Sequence, residues 1–348
     1  MAWDRLQPDS PGFKCWCGLD LFCMLQAMPH LSSTYRPPLG LRRGHVQTIL
    51  RGLLPGPRVR ADRIEELRLA DGDRLELHWH VPHLADAPLA VLCHGLEGSA
   101  EAGYMRAMAR ALNGAGCNAL AWSYRGCGRL PNLLPRSYHS GATEDLAAVV
   151  EHALQSGTSA LFLVGFSLGG NLILKYLGEQ VPPVRLRAAV AISAPVDLAS
   201  SADALDLRGG NALYRLRFMR SLNHKAAAKA RRFPEQVPQR DWAALRTVRA
   251  FDEAFTAPLH GFADAEDYYA RCSARPLLEN VGVPALLLNA LDDPLLAPPS
   301  FPEMRHHPHL CIETPAHGGH VAFLKAGRPL RSWTETRVPG FLLDHAGG

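Results

Sequence analysis

The 348-residue chain has no uninterrupted apolar run approaching the roughly 18 residues that a membrane-spanning helix needs, so integral insertion is not expected. Excess charge is lacking too. With 37 Lys and Arg against 33 Asp and Glu, the formal balance is +4, too small to imply a nucleic acid or an anionic membrane as partner. No nucleic-acid motif is present. The eight cysteines, Cys15, Cys17, Cys23, Cys93, Cys117, Cys127, Cys272 and Cys311, form no disulfide framework, and several fall in apolar runs where a reduced thiol packs. This usage fits a reduced, cytoplasmic protein. Cys15, Cys17 and Cys23 lack a fourth ligand at zinc-site spacing, so no metal is expected.

What is there is an ordinary globular composition, 47% hydrophobic and 20% charged, enough for one large core with insertions. Residues 1–30 differ from the rest, with Asp4, Pro8, Asp9 and Pro11 before an apolar stretch, Cys15 to Met28, broken by Gly18 and Asp20. Their start lacks net positive charge, which makes a poor secretory leader, and a disordered or loosely packed extension is the expectation. Met28 is an alternative start. The domain proper is placed at 31–348.

Alternating residues over Arg63 to Leu69 and Arg74 to His80, with Asp71-Gly72 between them, predict a hairpin. Strand-like runs follow at Leu89 to Cys93, Asn118 to Tyr124, Leu161 to Val164 and Ala188 to Ser193. Helical periodicity lies between them, through Met105, Met108 and Leu112, over Thr143 to Leu154, and over Asn171 to Gln180. This alternation predicts an α/β fold with a mostly parallel central sheet, helices on both faces, and functional loops at the carboxyl ends of the strands. The rhythm breaks after Pro195 and resumes with Pro284 to Ala290 and His309 to Thr314, which predicts a helical lid insertion at about 196–278. Within it Arg215, Arg217, Arg220, Lys225, Lys229, Arg231 and Arg232 interleave with Leu216, Phe218, Met219 and Leu222. The pattern fits a solvated amphipathic helix over the core, or a lid that meets anionic lipid as a peripheral membrane contact.

Gly165-Phe166-Ser167-Leu168-Gly169-Gly170 joins a strand to a helix. A serine in such a turn is lifted clear of the sheet, which points to a nucleophile elbow. A serine hydroxyl is a poor nucleophile at neutral pH, so it needs an imidazole to take its proton and a carboxylate to orient that imidazole. Leu291-Asp292-Asp293-Pro294 offers the acid, with Asp293 preferred over Asp292 because it immediately precedes the turn. His317-Gly318-Gly319-His320 offers the base. His320 is preferred over His317 because Val321-Ala322-Phe323-Leu324 reads as a helix start that would anchor it. Backbone amides of Leu96 and Leu168 are the expected oxyanion donors, with His94 bracing the first of these loops.

Together these segments resemble the YheT-like branch of the α/β-hydrolase superfamily, which includes related animal ABHD proteins. The resemblance rests on Tyr35-Arg36-Pro37-Pro38, Gly44-His45-Val46-Gln47-Thr48, His94-Gly95-Leu96-Glu97-Gly98-Ser99, Tyr124-Arg125-Gly126-Cys127, Tyr138-His139-Ser140-Gly141 with Asp145, the elbow, and the two loops of acid and base. It implies an α/β-hydrolase fold and a Ser167, Asp293, His320 triad without cofactor or metal. It also implies carboxylic-ester hydrolysis of short- to medium-chain acyl esters or acylglycerols. An alcohol acyltransferase using the same acyl-enzyme, or a non-catalytic binding protein of the same fold, are the alternatives. The family pattern begins near Tyr35, and alanine stands at 322 where a glycine commonly precedes the aromatic.

Overall fold

The computed structural model describes residues 30–304, 306–327 and 330–347. The extension and the cysteines at 15, 17 and 23 lie outside them, as does Met28. The predicted α/β architecture is present. Its strands are β1 (His30–Leu31), β2 (Arg63–Arg68), β3 (Arg74–His80), β4 (Leu89–Cys93), β5 (Asn118–Ser123), β6 (Leu161–Phe166), β7 (Leu186–Ile192), β8 (Ala285–Leu288) and β9 (Leu310–Glu313). They form one nine-stranded sheet ordered β1-β9-β8-β7-β6-β4-β5-β3-β2. The β2–β3 and β3–β5 pairs are antiparallel and every other pair is parallel.

The central strands read as unbroken apolar runs because both their faces are covered. Along β6, Leu161 and Leu163 pack into one cluster while Phe162, Val164 and Phe166 pack into the cluster on the opposite face. Phe162 has no exposed surface, and cutting a side chain so enclosed to alanine costs about 3–5 kcal/mol. The β2 edge, with one face toward solvent, alternates instead.

The first four helices are α1 (Gly44–Leu53), α2 (Gly103–Gly114), α3 (Thr143–Leu154) and α4 (Leu168–Glu179). Buried Met105, Met108, Ala109 and Leu112 give α2 its inward stripe, as Leu146, Val149, Val150 and Ala153 do for α3. Between β7 and β8 come α5 (Leu198–Leu207), α6 (Ala212–Arg232), α7 (Val248–Phe251), α8 (Ala257–His260) and α9 (Ala265–Cys272), with a π-helical turn at Asp252–Thr256. A last helix, α10 (Thr334–Leu343), follows a small hairpin of β10 (Leu324–Lys325) and β11 (Arg331–Ser332).

Because β4 lies between β5 and β6, the chain leaves β4 toward one edge and β6 toward the other. The loops at their carboxyl ends therefore diverge and open a crevice, where open α/β sheets place their ligands. Ser167 follows the last residue of β6, and His94 follows the last residue of β4.

Candidate active site

Ser167 has φ 54° and ψ −119°, a left-handed conformation held open by glycines on either side. A Cβ on Gly165 would fall 2.2 Å from the Gly169 carbonyl oxygen, and one on Gly169 would fall 2.4 Å from that of Cys93. Neither position accepts a larger residue without backbone movement. Strand β6 can thus turn sharply into α4 with the serine at the apex.

The Ser167 Oγ lies 2.9 Å from His320 Nε2. On the other side of the ring, His320 Nδ1 lies 2.8 Å and 3.1 Å from the Asp293 carboxylate oxygens. Asp293 has no exposed side-chain surface and also accepts the Leu295 N–H at 2.9 Å, so its position is doubly fixed. The alternatives stand elsewhere. Asp292 accepts the Gly319 N–H at 2.9 Å, which braces the loop beside the serine–histidine contact, while its other oxygen stands 3.4 Å from His317 Nδ1 without a hydrogen bond.

His320 is not anchored by a helix, contrary to the expectation from its sequence. Residues 321–323 form a turn and Leu324 begins β10, because Val321 and Phe323 have φ of 57° and 43°, outside the helical region. Three side chains that sequence reasoning did not single out do the anchoring. Thr48 Oγ accepts the His320 N–H at 2.9 Å, Ser193 Oγ accepts the Val321 N–H at 2.9 Å, and Gln47 Oε1 accepts the Leu324 N–H at 2.8 Å. Thr48 and Gln47 belong to the Gly44–Thr48 motif, whose helical placement was the missing information.

Leu168 is the first residue of α4, so its N–H is one of the donors a helix start leaves free. The loop after β4 is fixed from several directions. Tyr124 N–H donates to His94 Nε2 at 3.2 Å, which makes Nδ1 the protonated nitrogen, and Nδ1 donates to the Gly95 carbonyl at 2.7 Å. Gly98 N–H donates to the same carbonyl, and Gly95 N–H donates to the Tyr104 hydroxyl. In a trans peptide the Leu96 N–H points opposite to that carbonyl, away from His94. Burial depresses His94 to about 3, leaving a neutral brace.

Above Ser167 and His320 lies a cavity of about 140 Å³, walled largely by Leu168, Leu198, Leu205, Phe218, Leu222 and Phe255. Its polar side contains Asp252, whose carboxylate accepts from Tyr269 Oη at 2.8 Å and Thr256 Oγ at 2.6 Å. Burial nonetheless lifts that carboxyl to about 6. No three His, Cys, Asp or Glu side chains gather as a metal-ligand group among the described residues.

The basic stretch on α6 is less solvated than its composition suggested. Lys225 Nζ reaches Glu97 at 2.9 Å, Lys229 Nζ donates to the Leu134 and Arg136 carbonyls, and Arg232 donates to that of Asn132. These long side chains tie the helix down onto the core, while Arg217, Arg220 and Arg231 stay exposed.

A strand-end elbow facing a histidine on a parallel sheet defines a recognisable class, and the comparisons agree with it. Residues 88–326 match the α/β-hydrolase fold family, to which the chain belongs, within its YheT/ABHD branch. The chain is 32% identical over 322 residues to YheT of Escherichia coli, named as a candidate esterase, covering 90% of this chain and 94% of YheT. It is 28% identical over 320 residues to human phospholipase ABHD3, covering 89% and 78% of the two chains. Among solved structures, an esterase of Pyrococcus furiosus superposes with a TM-score of 0.55 at 18% identity, covering 84% of this chain and 98% of that one. That last likeness concerns the fold.

Proposed function

We propose that this protein is a serine carboxylesterase with lipase-like character, using Ser167 as nucleophile, His320 as general base and acid, and Asp293 to orient the imidazole. The observation that carries this reading is the continuous contact from Ser167 Oγ through His320 to the buried Asp293 carboxylate, beneath an apolar cavity. Ser167 Oγ attacks the ester carbonyl as His320 Nε2 takes its proton, and the oxyanion rests on the N–H groups of Leu96 and Leu168. His320 then protonates the departing alcohol. Water, deprotonated by the same ring, releases the acid from the acyl-enzyme.

A cavity of about 140 Å³ is close to the roughly 150 Å³ that holds a benzene-sized ligand, which favours the short end of the short- to medium-chain range. The esterase, phospholipase and monoacylglycerol lipase names among its relatives support ester or acylglycerol substrates. The helical region between β7 and β8 acts as the lid. Exposed Leu213 and Leu216 beside Arg217 and Arg220 support a peripheral contact of that lid with an anionic lipid surface. Among the described residues five cysteines are free, four of them buried, which supports a reducing, cytoplasmic setting.

A fluorophosphonate probe should label the wild-type protein and not Ser167→Ala; equal labelling of both would sink the assignment. In a panel of p-nitrophenyl esters, kcat/KM should be highest for the shortest acyl chains. Added ethanol should divert little of the acyl-enzyme, and ester formation outrunning hydrolysis would make the protein an acyltransferase.

A further inference from the structure

Glu97 has φ 56°, a left-handed conformation that non-glycine residues adopt only where their surroundings hold them there. It directly follows Leu96, the proposed oxyanion donor. Its carboxylate, 6% exposed, gathers Tyr138 Oη at 2.8 Å, Lys225 Nζ at 2.9 Å and the Ser221 hydroxyl. The Glu97 N–H donates to the same Tyr138 oxygen at 3.1 Å, so one phenol grips both the backbone and the side chain of this residue. Ser221 and Lys225 stand four residues apart on one face of α6, and between them Leu222 lines the cavity over Ser167.

Two anchors therefore flank the Leu96 N–H. The peptide before it is held by His94 and Gly98 through the Gly95 carbonyl, entirely within the sheet and its loops. The residue after it is held through Glu97, and two of the three donors on that carboxylate come from the lid helix. We propose that Glu97 is a positioning residue for the oxyanion donor at Leu96, and that α6 completes its alignment through Ser221 and Lys225 when the lid is seated. Without Lys225 a buried carboxylate loses its cationic partner, a costly state that is relieved by moving the loop. The lid thus does more than enclose the acyl group: its docked position sets the geometry of the oxyanion hole. Lys229 holds α6 to the carbonyls of residues 134 and 136 and touches neither Glu97 nor its donors; with Lys225 and Arg232 still in place its loss leaves the helix seated, so it supplies a control.

This inference rests on the esterase reading. The test is steady-state hydrolysis of a p-nitrophenyl butyrate series by Glu97→Gln, Tyr138→Phe, Lys225→Met, Lys225→Arg and Lys229→Met. It is paired with inhibition by an alkyl trifluoromethyl ketone, whose serine adduct carries an oxyanion. Lys225→Met and Glu97→Gln should lower kcat about 10- to 100-fold, with KM within about threefold of wild type and inhibitor Ki raised by the same factor as kcat falls. Lys225→Arg should recover most of the loss and Lys229→Met should show little. If Glu97→Gln does not fold, Tyr138→Phe, which removes one hydroxyl, carries the same expectation. Loss confined to KM, unchanged inhibition, no recovery by arginine, or an equal kcat loss in Lys229→Met would each overturn the proposal. A wild-type protein that a fluorophosphonate leaves unlabelled at Ser167 ends both readings; a labelled wild type whose variants keep full kcat ends this one alone.

Discussion

The floor of the cavity and its roof are built by different means. On the floor, Ser167, His320 and Asp293 sit in loops at strand ends, and their placement depends on backbone conformation: positive φ values, two glycines without room for a Cβ, and amides captured by Thr48, Ser193 and Gln47. The roof is helical and seated by long side chains, with Lys225, Lys229 and Arg232 reaching across to a carboxylate and to carbonyls of the core. A floor fixed by backbone tolerates almost no change, whereas a roof held by flexible side chains has more ways to adjust. On the esterase reading proposed above, a rigid site beneath an adjustable cover suits a substrate that enters from above.

That contrast breaks most sharply at Asp293. Asp293→Asn should lower kcat by about 10⁴-fold by favouring the wrong imidazole tautomer, while Asp292→Asn should cost less than about tenfold; p-nitrophenyl ester kinetics on both variants check this. Gly169→Ala, which drives a methyl against the Cys93 carbonyl, should cost about 3 kcal/mol or more in urea unfolding, with loss of activity. In the roof, Asp252 makes stability dependent on pH. The folded state holds the Asp252 proton more tightly than the unfolded chain does, so that stabilisation is fully present below about pH 4 and disappears as pH rises through 6. Between pH 4 and 6, wild-type stability should fall by on the order of 2–3 kcal/mol relative to Asp252→Asn, read from unfolding midpoints across the range. Lys229→Met, which strips two carbonyls of their donor, should cost only about 1–2 kcal/mol, measured by the same unfolding curves. A Lys229 effect as large as that of Gly169 would erase the distinction between the two regions.

The same contrast explains what could be read from the sequence. Strand β4 and helix α3 fall within their anticipated bounds because each presents a short, complete pattern: an unbroken apolar run in one, four inward residues at helical spacing in the other. The elbow was legible for the same reason, since its glycines report a local steric need. His320 is singled out by its neighbours in sequence, but the helix start expected after it is a turn, because Phe323 is governed by Gly318 and Trp333 backbone contacts rather than by local propensity. The inward turn of Lys225 and Lys229 was illegible too. Their partners, Glu97, Leu134 and Arg136, lie about 90 to 130 residues away in the chain, and a basic stripe looks the same whether it faces water or a buried carboxylate.

Two contacts join segments far apart in the chain. The His320 amide is captured by Thr48 across 272 residues of chain, and the Tyr35 hydroxyl donates to the Leu324 carbonyl across 289. A growing polypeptide can fold its elbow long before it possesses an aligned imidazole, since the clasp that orients His320 joins the chain's early helix to one of its last loops. On the proposed mechanism, Ser167 gains an aligned imidazole only once these contacts of large sequence separation have formed.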